Sequence, residues 1–165
     1  MAEIIIRDAE ERDYPFILNV NEENVEVLSP MDLEKTKYFH RTAEMFRVAE
    51  VDGEIAGFLI AVREGTDYDS ENYVWFSEKY PEFLYIDRIV IDEAFRGMGV
   101  GRVFYEDVAA HARATGVKIV TAEIDTEPVY NDASLKFHAA MGFKEVGVQW
   151  VRGNSIKVSL EAWEV

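Results

Sequence analysis

Apolar and polar positions change period several times along the chain, and each change marks an element. The run Ile4-Ile5-Ile6 within residues 3–7 is β-branched and predicts a first strand. From residue 8 to about 43 the apolar positions recur at helical spacing, with a break at Ser29-Pro30. Asp13 is the expected N-cap of the first helix, and Ser29, with Pro30 behind it, that of the second. Residues 46–51 and 54–63 read as strands joined at Asp52-Gly53, two residue types that tolerate the positive φ of a hairpin turn.

Regularity then lapses. Residues 64–82 hold six acids, one lysine and five aromatics without a clear period. Two readings stand for so long a stretch: a surface excursion with a short helix over 74–79 and its aromatics on the core, or a substrate-facing lid.

Residues 83–91 form the most hydrophobic strand, interrupted by Asp87-Arg88. Helical periodicity over 101–115 stops at Gly116, and a second helix over 130–141 stops at Gly142. Between them residues 118–124 read as a buried strand, and residues 143–152 and 156–164 alternate as strands joined at Gly153-Asn154. The order β-α-α-β-β-(loop)-β-α-β-α-β-β predicts an α/β (α+β) layer arrangement, a mixed sheet with helices on its faces. No linker, repeat or low-complexity tract divides it, so residues 1–165 are expected to form a single domain.

Composition narrows the chemistry. With 48% hydrophobic and 30% charged residues the chain has the balance of a folded globular protein. Seventeen basic against 32 acidic residues give a net charge of −15, which repels phosphate backbones and anionic lipid and argues against nucleic-acid or membrane partners. Cysteine is absent, which removes disulfides, thiolate metal sites and a cysteine nucleophile. The three histidines are scattered without metal-ligand spacing, so no metal is expected, and His40 and His111 are given no role. The N-terminus lacks a secretion-signal pattern, and the expected location is cytoplasmic.

The sharpest signal is Arg96-Gly97-Met98-Gly99-Val100-Gly101, followed by Arg102, between a predicted strand and a predicted helix. Glycines let the main chain turn tightly and gather N–H groups, and the helix start adds a positive dipole end, a combination suited to a pyrophosphate. Arg96 and Arg102 make it a basic island in an acidic chain. It is not a Walker loop, because no Gly-Lys-Ser/Thr occurs, nor a dinucleotide fingerprint, because Arg102 stands where the third glycine belongs. A tight structural connection is the other reading of such a loop.

Arg96-x-x-Gly99-x-Gly101 matches the Gln/Arg-x-x-Gly-x-Gly/Ala signature of the GNAT superfamily of acyl-CoA-dependent N-acetyltransferases, which this sequence resembles. A second block, from Asn131 through Ser134 and His138 to Gly142-Phe143, is similar to the family's Asn-x-x-Ala/Ser-x-x-x-Tyr-x-x-x-Gly-Phe helix. The resemblance covers essentially the whole chain, with its motifs confined to 83–147. It implies a mostly antiparallel mixed sheet whose fourth and fifth strands splay around the pantetheine arm. Ile89, Val90 and Ile91 would then offer main-chain groups to the arm, the loop from Arg96 to Arg102 (Gly97, Met98, Gly99, Val100 and Gly101 included) would hold the diphosphate, and Asn131 and Ser134 would bond the pantetheine amides. Asn131 also reads as a plain helix cap.

Acetyl transfer to an amine needs a base for the amine, a stabiliser for the oxyanion and an acid for the departing thiolate. Asp87, in an otherwise apolar strand where related enzymes often carry a carboxylate, is the first candidate base, with an internal ion pair to Arg88 as its alternative reading. Glu123 on the next strand is the second candidate, acting directly or through water. His138 stands where the family usually has tyrosine, the leaving-group acid, as in the phosphinothricin-type branch that this block resembles. Its other reading is a partly buried helix histidine with a fixed hydrogen bond, and Tyr130 could supply a nearby phenol as the acid instead. The resemblance thus implies direct transfer from acetyl-CoA to a primary amine, and the acidic charge favours a cationic small molecule or basic peptide as acceptor. A homodimer is the family's common state. The alternatives are a catalytically silent CoA-binding regulatory domain and an acidic interaction module.

Overall fold

The computed structural model describes residues 2–26 and 28–165. Numbered in chain order, the strands β1 (Ile4–Asp8), β2 (Met45–Val51), β3 (Glu54–Arg63), β4 (Leu84–Ile91), β5 (Ile119–Glu127), β6 (Lys144–Val151) and β7 (Ile156–Glu164) are hydrogen-bonded in the order β1-β2-β3-β4-β5-β7-β6; β1–β2, β2–β3, β5–β7 and β6–β7 are antiparallel, and β4–β5 is parallel. The chain forms two compact units, Met1–Val62 with Ile86–His111, and Arg63–Tyr85 with Ala112–Val165.

The first unit holds β1, α1 (Tyr14–Glu22), α2 (Leu33–Thr42), β2, β3 up to Val62, the later part of β4 and most of α4 (Val100–Ala114). The β2–β3 hairpin turns at Asp52 (φ 49°) and Gly53 (φ 87°), as expected from their tolerance of the left-handed region. Ile17, Phe39, Phe58, Ile60 and Phe104 are fully buried and form its core. Asp13 precedes α1 as predicted but does not cap it with its side chain. Its two oxygens instead take both terminal nitrogens of Arg7 at 2.8 Å. Burial alone would raise this carboxyl, but the Arg7 guanidinium and the Glu10 amide outweigh it and hold Asp13 below the usual carboxylate range. The second helix starts later than the Ser29-Pro30 pair suggested. Asp32 caps it by accepting from the Lys35 N–H at 2.8 Å, while the Ser29 carbonyl is taken by side chains from elsewhere.

The second unit holds α3 (Glu71–Lys79), the start of β4, β5 (Ile119–Glu127), α5 (Asp132–Met141), β6 (Lys144–Val151) and β7 (Ile156–Glu164). β4 and β5 run parallel and pair at Leu84–Val120 and Tyr85–Thr121. In antiparallel pairs, residues directly opposite share a face. Glu123 opposes Leu160, which opposes Gly147, and Trp75 of α3 lies over Gly147: a Cβ there would stand 2.4 Å from the Trp75 ring. α3 therefore covers the Glu123 face. Trp163 and Val120 belong to the other face, where Phe143 meets Trp163 at 5.4 Å and His138 meets Phe143 at 4.9 Å.

The 64–82 stretch is thus mostly structural. Tyr68, Tyr73 and Phe76 are buried, and the Tyr73 hydroxyl donates to the Arg63 carbonyl at 2.7 Å. Its helix begins at Glu71, three residues before the predicted start, capped by Ser70. Among the described residues no helix is long and apolar enough to cross a membrane.

Candidate active site

The Gly loop occupies the turn expected of it, after β4 and at the start of α4. Gly97 and Gly99 have φ of 79° and 86°, where an L side chain is strained, and among the described residues, chain neighbours aside, no atom lies within 4 Å of the place a Cβ would take on either. The helix ladder begins with the Val103 N–H donating to the Gly99 carbonyl at 3.1 Å. The N–H groups of Val100, Gly101 and Arg102 lie in the first turn, before any intrahelical acceptor exists. Open space above two left-handed glycines, first-turn amides and a positive dipole end fit a diphosphate. Arg102 is exposed and makes no ion pair among the described residues. Arg96 is held in place by Asn24 Oδ1 at 3.2 Å and the Ile91 carbonyl at 3.3 Å.

Upstream on β4, Val90 is buried while Ile89 and Ile91 are half-buried. The Asp92 N–H beyond them goes to the Ala56 carbonyl at 2.8 Å. Asp87 is paired: its Oδ2 accepts from Arg88 Nε at 2.7 Å, with the two side chains 5% and 2% exposed. The ion-pair reading of Asp87 is therefore realised, in a form more extensive than the adjacent pair. Arg88 Nη1 also donates to Asn21 Oδ1 at 2.9 Å and to the Ser29 carbonyl at 3.0 Å.

In the second unit, Glu123 accepts a hydrogen bond from the Tyr85 hydroxyl. Tyr85 is buried against Phe76 and Tyr73, so this carboxylate is oriented from an aromatic wall. Asn131 caps α5, its Oδ1 accepting from the Ser134 N–H at 3.2 Å, while its side-chain nitrogen makes no hydrogen bond among the described residues. His138 is 6% exposed, and its Nδ1 lies 2.7 Å from the Ser134 carbonyl and 3.2 Å from Ser134 Oγ. A carbonyl only accepts, so Nδ1 carries the proton and Nε2 is the acceptor of the neutral ring. Burial pushes the imidazole below the usual histidine range, opposed by the bond to Ser134. At neutral pH the ring is thus set to take a proton at Nε2; giving one there requires the cation that burial disfavours.

The structure brings Asn131, Ser134 and His138 together on α5, and sets Glu123 and His138 on opposite faces of the β5–β7 pair. Tyr130 is exposed. Two partners escaped the sequence reading. Tyr85 carried no signal, because an aromatic in an apolar strand reads as core. Asn21 did carry one: it falls four residues after Ile17, on the apolar stripe of α1, and a polar residue on a buried stripe needs a partner.

Comparison with known proteins agrees with the glycine loop and the α5 block. Residues 5–143 match the model of the acetyltransferase (GNAT) family. The N-acetyltransferase MJ1207 of Methanocaldococcus jannaschii, described as uncharacterized, is 30% identical over 114 residues, 68% of this chain. The match takes in 45% of that relative, so the chain spans under half of its length. Among solved structures, Ard1 from Thermoplasma volcanium superposes with a TM-score of 0.78 at 19% identity, covering 98% of this chain and 97% of that one. A chain of the NatC complex bound to Gag peptide and CoA superposes with a TM-score of 0.75 at 14% identity, covering 99% of each. A glycine loop with room for a diphosphate, a capped Asn-to-Phe helix and a family match over most of the residues lead to one assignment: this chain belongs to the GNAT acetyltransferase family.

Proposed function

We propose that the chain, as one acetyltransferase domain over residues 1–165, moves an acetyl group from acetyl-CoA to a primary amine by direct transfer. The observation that carries this reading is the loop of Gly97 and Gly99 opening α4, with space above both glycines and first-turn amides beneath it. Gly97 to Arg102, with Arg96, would hold the diphosphate, the main chain of Ile89, Val90 and Ile91 would line the pantetheine arm, and the Asn131 amide and Ser134 would meet its amides. Bound acetyl-CoA supplies an activated acyl thioester. Asp87 is the proposed base, with Glu123 second: a carboxylate takes a proton from the acceptor ammonium, the amine nitrogen bonds to the acyl carbon, and the carbon–sulfur bond breaks. The products are an amide and CoA, whose thiolate takes up a proton. With a net charge of −15, a cationic small molecule or basic peptide is the proposed acceptor, in keeping with the peptide named for the NatC complex.

An amine-library screen read by CoA release tests activity and acceptor class together. Acetyl-CoA at about 100 times its Kd should raise stability by about 2.7 kcal/mol. No thermal shift at millimolar acetyl-CoA would end the reading. One observation favours a second reading, a CoA-binding domain without turnover: His138, in the tyrosine position, is buried with its N–H committed to Ser134. Binding of acetyl-CoA without CoA release for any amine, in the wild type and in His138→Tyr alike, would select it.

A further inference from the structure

Arg88 is a cation in the middle of an apolar strand, 4% exposed. Its guanidinium reaches three polar groups: Asp87 Oδ2 at 2.7 Å, Asn21 Oδ1 at 2.9 Å and the Ser29 carbonyl at 3.0 Å. The ring of Phe39 lies 5.5 Å beneath it. Asn21, itself 1% exposed, donates to the same Ser29 carbonyl at 3.1 Å, so cation, carboxylate, amide and carbonyl close into one knot. Asn24, one turn after Asn21, takes Arg96 of the Gly loop. The end of α1 is therefore tied to β4 beside Asp87 and, three residues on, to the loop.

A buried ion pair adds little net stability compared with apolar side chains of the same volume, so stability alone does not account for it. What the knot does supply is geometry. A planar fork with donors in fixed directions locks a carboxylate and a carbonyl at one separation, which a lysine point charge does not.

We propose that Arg88 is a positioning residue, fixing the Asp87 carboxylate against the α1 terminus and Ser29 so that the acceptor amine meets a base already oriented. This rests on the acetyltransferase reading with Asp87 as base. Asn21 is the second member of the device, since it orients the other edge of the fork.

The test is a double-mutant cycle on steady-state kinetics with an acceptor found by CoA release. Arg88→Met should lower kcat by roughly tenfold to a hundredfold, the scale on which misoriented groups act, with KM for acetyl-CoA unchanged within about twofold. In an Asp87→Asn background the same change should cost less than about twofold, because the group it positions is already gone. Arg88→Lys should recover only part of the loss, and Asn21→Leu should reproduce part of it. A kcat loss of equal size in both backgrounds would overturn the proposal and leave Arg88 a packing element. Should Arg88→Met fail to fold, Arg88→Lys and Asn21→Leu run the same cycle with the same criterion. An Asp87→Asn variant with wild-type kcat would also overturn it, since nothing would remain to be positioned, while the acetyltransferase reading would stand on Glu123. No CoA release by the wild type with any amine would instead remove that reading and this inference together.

Discussion

Ser159 has one hydroxyl proton and faces two carboxyl groups, Glu145 Oε1 at 2.8 Å and Glu161 Oε2 at 2.9 Å. The one hydroxyl proton is shared between two carboxyl acceptors. Glu145 and Glu161 stand directly opposite in the β6–β7 register, where two like charges repel. Burial pushes the Glu161 carboxyl up, the Ser159 bond opposes this, and the Glu145 charge adds to the rise. A carboxyl raised in the folded state contributes stability below the ordinary glutamate value of about 4.3 and loses it as pH climbs through the raised value. Glu161→Gln keeps an oxygen for the Ser159 hydroxyl and discards the titration. Melting curves across this range should therefore show a flatter decline on the alkaline side for the variant, and an unchanged pH profile would show that Glu161 does not carry the dependence.

At the scale of elements, contacts between segments decide what sequence spacing did not reveal. Gly147 admits the Trp75 ring, and Gly147→Ala should destabilise by about 1–3 kcal/mol through overpacking. The same change in a Trp75→Ala background should cost far less, as denaturant titrations of the four proteins would show. In the Gly loop, Gly99→Glu fills the open space and adds negative charge, so the acetyl-CoA thermal shift should vanish while the unliganded protein still melts cooperatively. Retained affinity would move the diphosphate to another place. The loop, the hairpin turns and the helix ends at Gly116 and Gly142 were legible because glycine and Asp-Gly act locally, through φ. The start of α2 was misread because Ser29, a good cap by type, gives its carbonyl to Arg88, 59 residues away. The environment of Asp87 was half legible: its partner Arg88 is adjacent, while Asn21, which completes the knot, lies 67 residues from Arg88. Glu123 was visible as a carboxylate in a strand, but Tyr85, 38 residues before it, was not visible as its partner.

For the molecule as a whole, the excess of 15 negative charges is a field that acts on whatever approaches. Its range falls from about 30 Å at 0.01 M salt to about 3 Å at 1 M. A dicationic acceptor should therefore show KM rising severalfold across that span, and an uncharged acceptor of similar size should show little change. Initial rates with the two acceptors at fixed acetyl-CoA make the comparison. Equal salt responses would separate the charge of the chain from its choice of acceptor, leaving the acidic surface a matter of solubility.

The φ of 86° at Gly99 belongs to the half of conformational space that natural chirality leaves almost empty. Among ribosomal residues glycine alone meets this dihedral without strain, whereas chemical ligation offers another that does. D-Alanine is at home with that dihedral, and L-alanine would give up about 1–2 kcal/mol to occupy it. Two semisynthetic proteins of identical composition, opposite in handedness at a single carbon, would separate the cost of bending the backbone from the cost of crowding the anion.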